Sequence, residues 1–376
     1  MERENLRIHN QSPYENWSQK MKVLILGGTG AMGKDLVKIV SQYAQQVVVT
    51  SRSRGSKESN IEFRQGNAKE LSFLNKLLTE HWDVIVDFMV YKTNEFEARY
   101  NQLLDATDHY IYLSSARVYA DSVAPIKESS PRLLDVINDT NYLASDEYAL
   151  SKARQENILF DSPKKNWTII RPYITYNDER LQLGVLEKES WLYSALKGRP
   201  IVFCKDIYDK HTTLTSGKDV AQGISSLLGK PQAHGEAFHI TADMPISWQE
   251  VSDTYLDVLE SHLPRRTQLS LQELENFLKW RTSKYQIIYD RLYNRRFDNN
   301  KINQFIDTSK FIDARTGLTE CLNTFITLKP NQFKVIDWKE EAIKNKLEKT
   351  NVSPTEFLSF KQAVKYYVYR YSNFSK

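Results

Sequence analysis

The sequence predicts an α/β fold, a doubly wound parallel sheet followed by a smaller C-terminal lobe. Three observations predict it. The apolar run Val23-Leu24-Ile25-Leu26 has the unbroken hydrophobicity of a strand covered on both faces. It breaks into glycines at Gly27, Gly28, Gly30 and Gly33, and a helical pattern follows with Leu36, Val37, Ile39 and Val40 on one side. From there to Pro172, short apolar runs alternate with helical patterns, the order that builds a parallel sheet with helices on its faces.

The strand, glycine turn and helix opening the chain place a helix N-terminus against a phosphate. Gly27 permits the tight turn, Gly30 lets backbone approach a pyrophosphate, and Gly33 lets helix pack on strand. At the start of a βαβ unit this is a dinucleotide-binding signal. Further strands are expected at residues 46–50, 61–66, 83–90, 110–115 and 167–171, with helices at 72–81, 95–106 and 146–160. After Pro172 the pattern loosens. Helices are expected at 189–197 and 219–228, and strands at 200–203 and 237–240. Ser247 with Glu250 three residues on forms a capping box for another helix. The rest is helix-rich, charged and aromatic.

Three regions are therefore read: an N-terminal extension at 1–20, a dinucleotide-binding Rossmann domain at 21–175, and a region at 176–376 that is mostly substrate-binding lobe and helical tail. Some segments of that last region return to the sheet. The 376 residues suffice for one large or two modest domains. With 26% charged and 41% hydrophobic residues the composition is that of an ordinary globular chain. A net charge of +4 without a dense basic tract gives no argument for nucleic-acid binding. Cys204 and Cys321 have no metal or CxxC spacing, and the histidines form no HExxH, so no metal site is expected and a reduced cytoplasmic setting fits. There is no run of 18 apolar residues, and the polar first 20 residues hold no secretory core, so no membrane contact is expected.

Tyr148 and Lys152 stand four apart on a helical pattern, hence on one face. A phenol with a pKa near ~10 is a poor acid–base group at neutral pH unless a cation lowers it. Ser115 ends the 110–115 strand, where open α/β sheets place ligands. It can hold a reacting oxygen, whereas strand alternation turns Ser114 to the other face. The strand at 83–90 carries Asp87, read as a capping or structural carboxylate near the pocket.

These pieces, Gly27-Gly28-Thr29-Gly30-Ala31-Met32-Gly33, Leu113-Ser114-Ser115-Ala116-Arg117-Val118-Tyr119, Tyr148-xxx-Lys152 and Arg171-Pro172-Tyr173-Ile174-Thr175-Tyr176, resemble the extended short-chain dehydrogenase/reductases. That group includes nucleotide-sugar epimerases, dehydratases and reductases. Asp219-Val220-Ala221 and the stretch from Gly235 to Trp248 are similar to further family segments, and the resemblance covers about residues 21 to 260. It implies that Tyr148 exchanges a proton with a sugar hydroxyl or ketone, that Lys152 holds the nicotinamide ribose and lowers the phenol pKa, and that Ser115 hydrogen-bonds the reacting oxygen. It also implies cofactor contacts from Gly27, Thr29, Gly30, Ala31, Met32 and Gly33, from Asn67 and Ala68, from Phe88 and Met89, and from Pro172 and Tyr173. Substrate contacts fall on Tyr119, Thr175, Tyr176, Asn177 and His211, and a homodimer through the helix bearing Tyr148 is expected.

The end of the second strand reads Thr50-Ser51-Arg52-Ser53-Arg54, with no acid to bind a ribose 2′-hydroxyl. Ser51, Arg52 and Arg54 would instead attract a 2′-phosphate, so NADP(H) is favoured over NAD. Ala116-Arg117 stands where family dehydratases carry an Asp-Glu pair, which disfavours 4,6-dehydration. The usual diphosphate-binding arginine before Asp219 is missing, and Lys210, His211, Arg199 or the pair Arg295-Arg296 are the candidates to replace it. The expected activity is an NADP(H)-dependent reduction of a sugar keto group, with a nucleotide-linked sugar as substrate. The alternatives are a nucleotide-sugar epimerase with tightly held NAD, and a non-catalytic family member that binds a ligand or RNA.

Overall fold

The computed structural model describes residues 21–53, 55, 58–330 and 332–372. The extension at 1–20 and Arg54 lie outside them. Seven strands form the main sheet: β1 (Lys22–Leu26), β2 (Gln46–Ser51), β3 (Ile61–Gln65), β4 (Trp82–Asp87), β5 (Thr107–Leu113), β6 (Trp167–Pro172) and β7 (Glu236–Ile240). Their order is β7-β6-β5-β4-β1-β2-β3, and the pairings from β6 across to β3 are parallel. The order reverses between β1 and β4, the switch at which doubly wound sheets open a crevice. The predicted fold class is the one observed.

Val23, Leu24, Ile25 and Leu26 are wholly buried because helices cover both faces of the sheet. The helices α1 (Gly33–Val40), α2 (Leu71–Leu77) and α3 (Tyr100–Asp105) follow β1, β3 and β4. α1 buries Leu36, Val37 and Val40 of the expected stripe, while Ile39 is half-buried. Several boundaries differ from expectation, β5 running from Thr107 to Leu113 and α2 ending at Leu77, and two further differences have a local reason. β4 stops at Asp87 because the Asp87 carboxylate accepts the Met89 N–H at 2.9 Å and bends the chain out of the ladder. The helix expected at 95–106 breaks into Thr93–Glu97 and α3, because Arg99 turns inward, 4.4 Å from the Tyr91 ring centre, and bonds the carbonyls of Ala68 and Lys69.

The chain divides into two compact units that are discontinuous in sequence. The first comprises residues up to Ser114, Arg154–Ile170 and Ala221–Phe238; the second comprises Ser115–Ala153, Arg171–Val220 and His239 onward. The core of the first gathers Leu24, Val48, Ile85, Tyr110, Tyr112 and Ile169. The second unit has a separate core that includes Trp191, Phe203, Trp248, Tyr255, Leu318 and Phe325.

Helix α4 (Tyr148–Asp161) precedes β6, α5 (Gly217–Leu227) precedes β7, and α6 (Trp248–His262) begins at the expected capping box. There Ser247 Oγ accepts the Glu250 N–H at 3.1 Å, and Glu250 Oε2 accepts the Ser247 N–H at 2.9 Å. The tail is helical as expected, with α7 (Ala314–Leu328), α8 (Trp338–Leu347) and α9 (Phe360–Tyr371). It also adds a strand, Leu269–Gln272, parallel to Ile201–Cys204. Among the described residues no helix is long and apolar enough to cross a membrane.

Candidate active site

In the first unit, Gly27 sits at φ +71° and donates its N–H to Thr50 Oγ1 at 2.9 Å, tying the turn after β1 to the end of β2. A Cβ at Gly27 would stand 2.8 Å from the Met89 sulfur, and one at Gly33 would stand 2.7 Å from the Gly28 backbone. A Cβ at Gly30 would meet nothing within 4 Å. Gly27 and Gly33 are therefore demanded by the protein itself, while Gly30 opens onto space, as a cradle for a pyrophosphate requires. Thr29 is exposed and Ala31 and Met32 are half-buried on the same turn. Met32 caps α1 without a side-chain hydrogen bond, so its first N–H groups are not capped by a side chain. The residues present fit a dinucleotide phosphate.

At the end of β2, Ser51 Oγ lies 3.1 Å from Ser53 Oγ, and Arg52 is exposed with its carbonyl accepting from Gln65 Nε2 at 3.2 Å. The Asn67 amide closes the turn before α2, Oδ1 accepting the Lys69 N–H at 3.1 Å and Nδ2 donating to Glu70 Oε1 at 3.3 Å. Ala68 is buried, and Phe88 and Met89 are half-buried. Asp87 is fully buried, where its carboxylate accepts from Tyr110 Oη at 2.8 Å and from Tyr91 Oη at 3.4 Å. It is a structural carboxylate, and burial first, then Asp87, pushes both phenols well above the ordinary range.

In the second unit, Ser115 is extended at φ −159° and its Oγ accepts the Arg117 N–H at 3.2 Å. Tyr148 is the first residue of α4, the Ser115 hydroxyl acts on its phenol in the direction that favours ionisation, and Lys152 lies buried one turn along. Ser114, in the first unit, donates to Glu156 Oε1 at 2.6 Å. The strand expected to end at Ser115 stops at Leu113, and Ser115 instead caps the short turn Ala116–Val118, but its extended backbone still gives the two serines different partners.

Two neighbours of Tyr148 carry weight that sequence reading did not assign. Glu147 directly precedes α4, its Oε2 accepting the Ala149 N–H at 2.8 Å, and its Oε1 accepts from Arg117 Nη2 at 2.7 Å. The Arg117 guanidinium carbon lies 5.3 Å from the Tyr148 ring centre. Burial raises the Tyr148 phenol above its ordinary value; Arg117, then Ser115, then Arg180 act against that rise. A signal existed in the arginine two residues past Ser115 and the carboxylate directly before Tyr148, but nothing in their spacing says that they meet.

The residues expected around a substrate are largely engaged with one another. The Tyr119 hydroxyl accepts from Arg171 Nη1 at 2.9 Å and lies 3.3 Å from His239 Nδ1. Pro172 ends β6, and the next residue, Tyr173, donates to Asp290 Oδ1 at 3.0 Å. Thr175 is buried and accepts from Arg180 Nη1 at 3.4 Å, and Asn177 Oδ1 accepts the N–H groups of Glu179 and Arg180 at 3.0 and 2.9 Å. The buried Tyr176 hydroxyl has no hydrogen-bond partner among the described residues and abuts Gly317. His211 is exposed, its N–H donating to Asn294 Oδ1 at 2.9 Å.

Two candidate diphosphate anchors are corrected. Arg199 is buried against Glu356 at 2.8 Å and Glu341 at 3.5 Å. Arg295 is buried on Asp290 at 3.0 Å and on the carbonyls of Tyr119, Ala120 and Tyr289. Freeing either guanidinium would strand a buried carboxylate, so both are structural.

Residues 23–241 match the sequence pattern of the "NAD dependent epimerase/dehydratase family". The chain belongs to that family. The resemblance to extended short-chain dehydrogenase/reductases carried by the glycine turn and the Tyr148-xxx-Lys152 pair is borne out by membership in this epimerase/dehydratase family. Its sequence is 28% identical over 253 residues to the chloroplast stem-loop binding protein of 41 kDa b of Arabidopsis thaliana, a stretch covering 62% of this chain and 62% of that protein. Among solved structures it is similar to an epimerase of Methanothermobacter thermautotrophicus, with a TM-score of 0.64, 17% identity, and coverage of 82% of this chain and 93% of that one. It is also similar to the UDP-glucuronic acid 4-epimerase of Bacillus cereus in complex with UDP-glucuronic acid and NAD, with a TM-score of 0.58, 17% identity, and coverage of 81% and 99%. At these identities the structural likeness is one of fold.

Proposed function

We propose that this family member is an NADP(H)-dependent ketoreductase acting on a sugar keto group, with a nucleotide-linked sugar as substrate. The observation that carries the chemistry is Tyr148 at the start of α4, with the Ser115 hydroxyl favouring its ionisation and Lys152 one turn along the same helix face. When bound on the glycine turn, the dinucleotide supplies the hydride. Ser115 donates a hydrogen bond to the carbonyl oxygen. Tyr148 delivers the proton that this oxygen takes up, and cationic side chains stabilise the phenolate left behind. Lys152 holds the cofactor ribose. NADP(H) is preferred because the end of β2 offers exposed Arg52 and no carboxylate. Residues 21–175 then serve the cofactor and the lobe after 176 mostly the substrate, in a cytoplasmic homodimer.

An epimerase with tightly held NAD is the second reading, supported by the family's description as NAD dependent and by the epimerases that share the fold. The name of the Arabidopsis relative supports a third, binding of an RNA stem-loop. Purified protein incubated with NADPH and a panel of 4-keto nucleotide sugars tests the proposal, with stoichiometric loss of NADPH as the expected result. Interconversion of two epimers by protein that retains NAD, with no NADPH consumed, establishes the second reading instead. Retardation of a stem-loop RNA in a gel, without either reaction, establishes the third.

A further inference from the structure

The guanidinium of Arg117 stands over the Tyr148 ring within the ~6 Å range of a cation–π contact. It is held by a 2.7 Å ion pair to Glu147, the residue directly before Tyr148. On its other side the nearest carboxylate oxygen, of Asp290, lies 3.8 Å from Nε, and Nε has no hydrogen-bond acceptor among the described residues. Asp290 is shared with Arg291 and Arg295, so Glu147 is the carboxylate that fixes Arg117. The ring of a phenolate is richer in electrons than that of a phenol, so a cation at this place favours the ionised form.

We propose that Arg117 is a positioning residue for the Tyr148 proton: fixed by Glu147, it stabilises the phenolate that Tyr148 becomes on giving its proton to the substrate. This rests on the reading of Tyr148 as the acid–base group. The other groups acting on Tyr148 are Ser115 and Arg180, which favour ionisation, and Glu147, which opposes it. Lys152 stands on the same helix face.

The test is carbon NMR of protein labelled at the tyrosine ring carbon bearing oxygen, with Tyr148→Phe assigning the Tyr148 signal. The neutral replacements R117Q and R117M should each raise the midpoint of Tyr148 ionisation by about one pH unit, a tenfold change in its ionisation constant. R117K, which keeps the charge, should restore most of the wild-type midpoint, and circular dichroism checks that each variant is folded. Neutral variants that titrate at or below the wild-type midpoint overturn the proposal. So does a wild-type Tyr148 that stays protonated until the protein unfolds. The signal reports ionisation without turnover, so the result stands apart from the functional reading, which Tyr148→Phe with intact turnover would overturn by itself.

Discussion

Gly33 lies so close to Gly28 that a Cβ on it would stand 2.7 Å from the Gly28 carbonyl carbon and oxygen. A methyl group at Gly30, three residues earlier, would meet nothing within 4 Å. Two glycines of one turn thus have different reasons to exist, and they should respond differently to the same change. Gly33→Ala is expected to destabilise the protein by about 1–3 kcal/mol, the range for forcing atoms into filled space. Gly30→Ala should leave stability within about 0.5 kcal/mol of wild type while weakening dinucleotide binding at least about tenfold. Urea unfolding and fluorescence titration with NADPH measure both; equal stability losses would mean that Gly30 is also structural.

Tyr148→Phe removes the hydroxyl and leaves the ring under Arg117. Turnover should fall about a hundredfold or more, the scale of a lost general acid. Dinucleotide affinity should change little. Steady-state kinetics with a keto-sugar substrate gives the first quantity, and equilibrium titration the second.

Arg52 is exposed at the end of β2 and makes no side-chain hydrogen bond or ion pair with a described residue. Arg52→Glu should therefore fold as well as wild type. It should also reverse the preference between dinucleotides, repelling a 2′-phosphate and accepting a 2′-hydroxyl. The ratio of Kd for NADPH to Kd for NADH is expected to rise about tenfold or more. An unchanged ratio would place recognition of the ribose elsewhere.

His109 and His239 are both buried and held neutral. Burial, with His234 beside it, lowers His109 to about 3. Burial lowers His239 to about 4, with Asp298 O accepting at one ring nitrogen. Above the unfolded value of about 6.5 neither state takes up a proton there, and their contribution to stability is complete. Below it the unfolded chain binds protons that the folded one refuses, so stability falls until pH reaches about 4 for His239 and about 3 for His109. The slope is up to about 1.4 kcal/mol per pH unit for each group. The urea midpoint should be lower at pH 5 than at pH 7, and an equal midpoint would show that both rings are protonated in the folded protein.

Asp290 is buried among Arg117, Arg291 and Arg295 and accepts from Tyr173. Asp290→Asn leaves those guanidiniums without their shared counter-charge. The expected cost is about 3 kcal/mol or more, that of a buried ion pair with one partner removed. A drop in the unfolding temperature measures it.

The order of strands and helices through β6 was legible in the sequence because each element carries its signal within a few residues. Val23 to Leu26 are apolar without a break, the glycines follow at once, and Tyr148 and Lys152 share a face by helical spacing alone. The extended backbone just past β5 likewise separates Ser114 from Ser115. The end of β4 and the break before α3 were not legible, because each depends on where one side chain, Asp87 or Arg99, finds its hydrogen bonds.

By itself the sequence determined the fold class, the glycine turn and the placing of Tyr148 and Lys152 on one helix face, since local periodicity and turn chemistry suffice for these. Only the tertiary structure decided that Arg117 lies against Tyr148, and that Arg199 and Arg295 are bound to Glu356 and Asp290. Those partners are separated by 31, 157 and 5 residues and no repeat or motif links them. Burial makes pairing of charges obligatory, but which carboxylate meets which guanidinium depends on how the chain packs around them.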